Sequence, residues 1–179
     1  MLRAVRGALA PTLRRAWRPS TLRNSRPVPE NDDRLNDELF ALRKRVLVAD
    51  DMPRMLKAIS ELVQETFEVI GVASDGQAAL EEALALEPDL VVLDISMPGM
   101  SGIEVARKLR QSGNKAIIVF LTVHQDAQIM ASCLAAGGLG YILKEFMRSD
   151  LIFAMNEALA GRPFVSRFPS RRGTSEYEA

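Results

Sequence analysis

Five positions in this 179-residue chain carry side chains suited to one reaction: the acidic pair Asp50 and Asp51, then Asp94, Thr122 and Lys144. Carboxylates hold a hard divalent cation such as Mg²⁺ through oxygen. A carboxylate can act as a nucleophile, while a hydroxyl and an ammonium can bind the oxygens of a transferring phosphoryl group. The set points to phosphoryl transfer onto a carboxylate, provided the fold brings these residues together.

The local sequence around each position says how that happens. Each one ends a short apolar run: Val46-Leu47-Val48-Ala49 before the acidic pair, Leu90-Val91-Val92-Leu93 before Asp94, residues 116–121 before Thr122, and Gly140-Tyr141-Ile142-Leu143 before Lys144. Such runs are buried parallel strands when helices separate them. Helical patterns do separate them. Pro53 stands near the start of a helix whose face is Met55, Leu56, Ile59, Leu62 and Val63. A strand from Phe67 to Val72 follows, then a helix capped at Ser74-Asp75 and stopped by Pro88. Further helices are expected from Ser101 to Gly113, over about 125–136 and over about 147–160, the last two ended by glycine. Five βα units in series predict a parallel sheet with right-handed crossovers and helices on both faces. In such a sheet ligands bind beyond the carboxyl ends of the strands, where all five positions lie.

Charge divides the chain into unlike parts. Residues 1–45 hold 11 Lys/Arg against 5 Asp/Glu, residues 46–160 hold 8 against 16, and residues 161–179 hold 4 against 2. The central acidic part has little reason to bind nucleic acid through its own surface. The single cysteine, Cys133, permits no intrachain disulfide, which fits a reducing, cytoplasmic setting. No apolar run is long enough for a transmembrane segment.

Residues 1–29 contain seven Arg and no acidic residue, broken by Pro11, Pro19, Pro27 and Pro29. Leu2, Val5, Leu9, Leu13 and Trp17 recur at helical spacing there. The composition suits a disordered extension or upstream sequence from a mistaken start codon. It also suits a transit peptide, or a segment lying on an anionic membrane or nucleic acid. The expected organisation is a basic extension over 1–44, one α/β domain over 45–160 and a short tail over 161–179.

Residues 46–160 resemble the response-regulator receiver domain of two-component signalling. The resemblance rests on Val48-Ala49-Asp50-Asp51, on Leu93 to Gly102 with its Met97-Pro98-Gly99-Met100 loop, and on Gly140-Tyr141-Ile142-Leu143-Lys144. Its wording is nearest to receivers that precede a helix-turn-helix output domain. The resemblance implies a flavodoxin-like (βα)5 doubly wound sheet with strand order 2-1-3-4-5. It implies Asp94 as the phosphoacceptor and Mg²⁺ held by Asp50, Asp51, Asp94 and the backbone carbonyl of Ser96. Lys144 would pair with one phosphoryl oxygen and Thr122 would donate to another, with Tyr141 moving as the switch aromatic. Expected partners are a sensor histidine kinase or phosphotransfer protein, a downstream protein target and a phosphorylation-dependent second copy of the chain. The domain would be a phosphoacceptor rather than an enzyme in its own right.

Several residues depart from the family pattern. Glu145 stands where many receivers have proline, and Val123 stands where a small residue is common, narrowing access to the phosphoryl group. Ser96 and His124 would flank the path of the hydrolytic water. Cys133 reads as buried packing. After Gly161 the sequence resembles the start of a linker, and the chain stops at Ala179. The expectation is a stand-alone receiver signalling by protein contact or phosphate relay. The alternative is a nucleic-acid-associated regulator using its basic tails.

Overall fold

The computed structural model describes residues 43–167. The basic extension up to residue 42 and the segment from 168 onward, including the expectations placed on them, lie outside the described residues.

The strands are β1 (Arg45–Ala49), β2 (Glu68–Ala73), β3 (Leu90–Leu93), β4 (Ile117–Thr122) and β5 (Gly138–Leu143), with a short β6 (Phe164–Val165). The helices are α1 (Pro53–Val63), α2 (Gly76–Leu86), α3 (Gly102–Gln111), α4 (Ala127–Ala135) and α5 (Met147–Leu159). A 3₁₀ turn over Lys144–Phe146 leads into α5. Every strand pairing is parallel, in the order β2-β1-β3-β4-β5-β6. The five expected strands take their expected order.

Local chemistry sets the helix starts. Proline opens α1, where its missing N–H would have had no partner. Asp75 caps α2 by accepting the Ala78 N–H at 2.8 Å. Ser101 and Glu104 form a reciprocal capping box at α3, and Asp126 accepts from Gln128 and Ile129 at the start of α4.

Alternation along the strands builds two cores. Leu47, Ala49, Val91, Leu93, Ile118 and Phe120 point toward α2, α3 and α4. Val46, Val48, Leu90, Val92, Val119 and Leu121 pack against Ile59 and Val63 of α1 and Leu151, Ala154 and Met155 of α5. A sheet covered on both faces needs nearly continuous apolar strands, which these are. Cys133 is buried, as its pattern implies, and burial pushes its thiol up to about 12. No helix among the described residues is long and apolar enough to cross a membrane.

The sixth strand lies in the segment read from sequence as a tail. A two-residue strand has no periodicity to detect, and what holds it is tertiary. The Ser166 N–H donates to the Tyr141 carbonyl at 2.9 Å. The Ser166 hydroxyl, itself buried, donates to Asp150 Oδ2 at 2.8 Å. Phe164 meets Phe153 edge to face at 5.5 Å between ring centres. Ser166→Ala removes one partly buried hydrogen bond to a carboxylate and is expected to cost about 1–2 kcal/mol in denaturant unfolding. Unchanged stability would mean that β6 is held by backbone pairing and ring packing alone.

Candidate functional site

Strand register places the acidic residues. Ala49 is opposite Leu93 in the β1–β3 ladder, so Asp50 and Asp94 leave the sheet side by side. The ladder continues beyond the strands: the Asp94 N–H donates to the Ala49 carbonyl at 2.8 Å, and the Asp50 N–H to the Ala73 carbonyl at 3.1 Å. One oxygen of each buried carboxylate is oriented by a backbone donor. Asp50 Oδ1 accepts from Met52 N at 3.0 Å and Asp94 Oδ1 from Ile95 N at 2.8 Å.

The other two oxygens face Lys144. Its Nζ lies 2.6 Å from Asp50 Oδ2 and 3.1 Å from Asp94 Oδ2. Thr122, the last residue of β4, is opposite Leu143 in the β4–β5 ladder, so Thr122 and Lys144, the residue after β5, join the same edge. Burial is the largest influence on Asp94 and pushes its carboxyl above the usual range. The Lys144 ammonium pulls it back, and the Asp50 carboxylate adds to the rise.

Asp51 stands at the exposed mouth. Asp50, Asp51 and Asp94 each offer a ligand oxygen, all within 4.8 Å of one another. Asp50 Oδ2 is buried and has no donor in hydrogen-bonding geometry, though the Lys144 ammonium neutralises it. A cluster of three carboxylates whose ligand oxygens converge in this way fits Mg²⁺, a hard cation held through oxygen.

The β4–α4 loop closes the other side of the crevice, with His124 at its centre. The His124 N–H donates to Thr122 Oγ1 at 3.2 Å, and its carbonyl accepts from the Tyr141 hydroxyl at 2.8 Å. His124 Nε2 lies 2.7 Å from the Ser96 hydroxyl in the loop after β3. Gln125 donates to Glu145 at 2.9 Å on the far side. Tyr141 is fully buried, and burial pushes its phenol up to about 12. Val123 points outward at 65 % exposure, lining a groove with Thr122, Lys144 and Glu145.

Residues 46–156 match the response regulator receiver domain family. The chain belongs to that family. This receiver domain is 35% identical over 123 residues to the nitrate/nitrite response regulator protein NarL of Escherichia coli, covering 68% of this chain and 57% of NarL. It is 42% identical over 142 residues to a protein-glutamate methylesterase/protein-glutamine glutaminase of Nocardioides, covering 75% of this chain and 38% of that protein. The solved signal receiver domain of a NarL response regulator from Mycobacterium tuberculosis superposes with a TM-score of 0.65 at 32% identity. That comparison covers 67% of this chain and 98% of that one.

The receiver fold brings Asp50, Asp51, Asp94 and Lys144 into one cluster, with Thr122 and Tyr141 meeting at the adjoining loop. The expectation that His124 and Ser96 flank the path of the hydrolytic water puts both near the site but does not contain their contact or the hold of His124 on the loop. Its three contacts come from β4, β5 and the loop after β3, and no local pattern announces such a junction. The spacing of His124 and Ser96, each two residues beyond a site residue, was the available signal.

Proposed function

We propose that this receiver domain accepts a phosphoryl group on Asp94 from a phosphohistidine of a sensor kinase or phosphotransfer protein. The observation that carries this reading is the Lys144 ammonium held between Asp50 and Asp94 beside the exposed Asp51. An Asp94 oxygen forms the new bond to phosphorus as the phosphorus–nitrogen bond breaks. The electron pair stays on the donor imidazole, which takes up a proton. Lys144, already poised at Asp94, turns to a phosphoryl oxygen and offsets the charge brought into a buried site.

Asp50, Asp51, Asp94 and the Ser96 carbonyl would hold Mg²⁺, which supplies positive charge to the transferring group. Thr122 takes another phosphoryl oxygen. Its Oγ1 accepts from the His124 N–H, so turning inward alters the loop that Tyr141 also grips. That loop is where the phosphorylated state becomes legible to a partner, by an order-shifting change around α4.

The chain spans about 57% of the length of NarL, and its relatives carry names as different as a nitrate/nitrite regulator and a methylesterase. The match therefore supports the acceptor role, and the output we propose is protein contact or onward phosphate relay. The test is phosphotransfer from a phosphorylated kinase with Mg²⁺, read as one added phosphoryl group by intact mass. Beryllofluoride should then change amide exchange over residues 122–145; unchanged exchange would remove the switch from this reading.

Val123 provides a separate kinetic prediction. Its branched side chain borders the groove to Lys144. Val123→Ala is expected to speed labelling by acetyl phosphate and shorten the acyl-phosphate lifetime, each several-fold. A lifetime equal to wild type would show that Val123 does not limit access.

A further inference from the structure

The acceptor loop, residues 95–101, is braced at both ends by backbone packed against glycine. At one end, a Cβ on Gly102 would lie 2.0 Å from the Asp94 carbonyl oxygen. At the other, a Cβ on Gly76 would lie 1.9 Å from the Met100 carbonyl oxygen and 2.7 Å from its carbon. Gly76 is the first residue of α2 and belongs to a different βα unit from the acceptor. The obstacle at Met100 is main chain, so no rotamer change relieves it.

We propose that Gly76 is a positioning residue for metal binding and phosphoryl acceptance: by admitting the Met100 carbonyl against α2, it sets where the acceptor loop carries Ser96. This inference rests on the proposed role of the Asp94 site. The loop is short and internally tied, with Met100 N–H on the Pro98 carbonyl and Gly102 N–H on the Ile95 carbonyl, both at 2.9 Å. Ile95 and Met97 plug into the core, which leaves the backbone between them little slack. The start of α2 is equally committed, through the Asp75 cap and the buried Ala79 and Ala83. A methyl group at Gly76 must therefore push the Met100 end of the loop. With the Asp94 end held by Gly102, the displacement falls on residues 95–99, including the Ser96 carbonyl.

Misplacement of about 1 Å in a site of this kind costs up to about a hundredfold in rate. Gly76→Ala should raise the Mg²⁺ half-point, the concentration at which half of the folded protein holds the ion as obtained from the logarithmic rise of melting temperature with Mg²⁺, by tenfold or more, and slow acetyl-phosphate labelling similarly. Gly71→Ala is the control, because its added Cβ meets only the ends of side chains, Glu82 Oε2 at 2.7 Å and Leu86 Cδ1 at 2.9 Å among them. It should lower the melting temperature while leaving the Mg²⁺ half-point unchanged. If Gly76→Ala does not fold, Asp75→Ala decides. It adds no atom, but removes the cap that fixes the start of α2 against the Met100 carbonyl, and should also raise the half-point. A wild-type half-point in folded Gly76→Ala, or in Asp75→Ala where the first variant fails to fold, overturns the inference. Absence of any Mg²⁺ effect on the wild-type protein would instead overturn the site reading beneath it.

Discussion

Asp94→Asn is expected to abolish phosphoryl labelling by acetyl phosphate and by a phosphorylated kinase, read by intact mass and by hydroxylamine release of the acyl phosphate. Asparagine keeps the shape and the carbonyl oxygen that accepts from Ile95, but it lacks the anionic oxygen that attacks phosphorus. Asp50 does not substitute for it. Its side chain is fully enclosed and its Oδ2 is the oxygen held more tightly by Lys144, at 2.6 Å against 3.1 Å for Asp94, which keeps a little exposure. Asp51 is exposed and has no ion pair with Lys144 among the described residues. The expected result is therefore complete loss and not a redistribution to a neighbouring acid. Full labelling of the asparagine variant would remove Asp94 from the acceptor role and with it the central step of the proposed function.

Lys144→Ala should produce the largest stability change, about 3–5 kcal/mol in Mg²⁺-free denaturant unfolding, because it leaves two buried carboxylates without their cation. The deficit should depend on pH. Asp94 is raised by burial and lowered by Lys144, so losing the ammonium raises it further. An acid raised on folding is protonated in the native state at pH values where the unfolded chain, with its Asp near 3.9, has already ionised. The native state then binds more protons than the unfolded state, and stability falls as pH rises through that window. The Lys144→Ala deficit should be small below about pH 4 and grow above it. Added Mg²⁺ should recover part of it by restoring positive charge among the same carboxylates. A deficit independent of both pH and Mg²⁺ would show that the Lys144 aliphatic stem, and not its charge, supports the fold.

How much of this was legible beforehand depended on whether the signal was local. Apolar runs of strand length, glycine and proline stops, and helix starts at Asp75 and Ser101 are properties of a few consecutive residues. They identified the βα alternation and placed Asp50, Asp94, Thr122 and Lys144 at strand ends. The parallel order then followed from crossover handedness and the resemblance to receivers. Asp51 beside Asp50 marked the acidic cluster for the same reason.

The tertiary structure decided what lies between elements. Register and crossover geometry set Lys144 at 2.6 Å from Asp50 and 3.1 Å from Asp94, a sharing that spacing along the chain does not contain. The same holds for His124, whose contacts belong to β4, β5 and the loop after β3, and for Tyr141, which lies buried with its hydroxyl on that loop. Strand β6 exists because Tyr141, Asp150 and Phe153 await it, and two residues carry no pattern of their own. Gly76 reads in sequence as an ordinary helix start; only the approach of the Met100 carbonyl shows why a side chain has no room there. Sequence by itself determined which groups reach the crevice, because periodicity and capping are short-range. Folding determined how those groups are paired, braced and shared, because such distances depend on segments far apart in the chain.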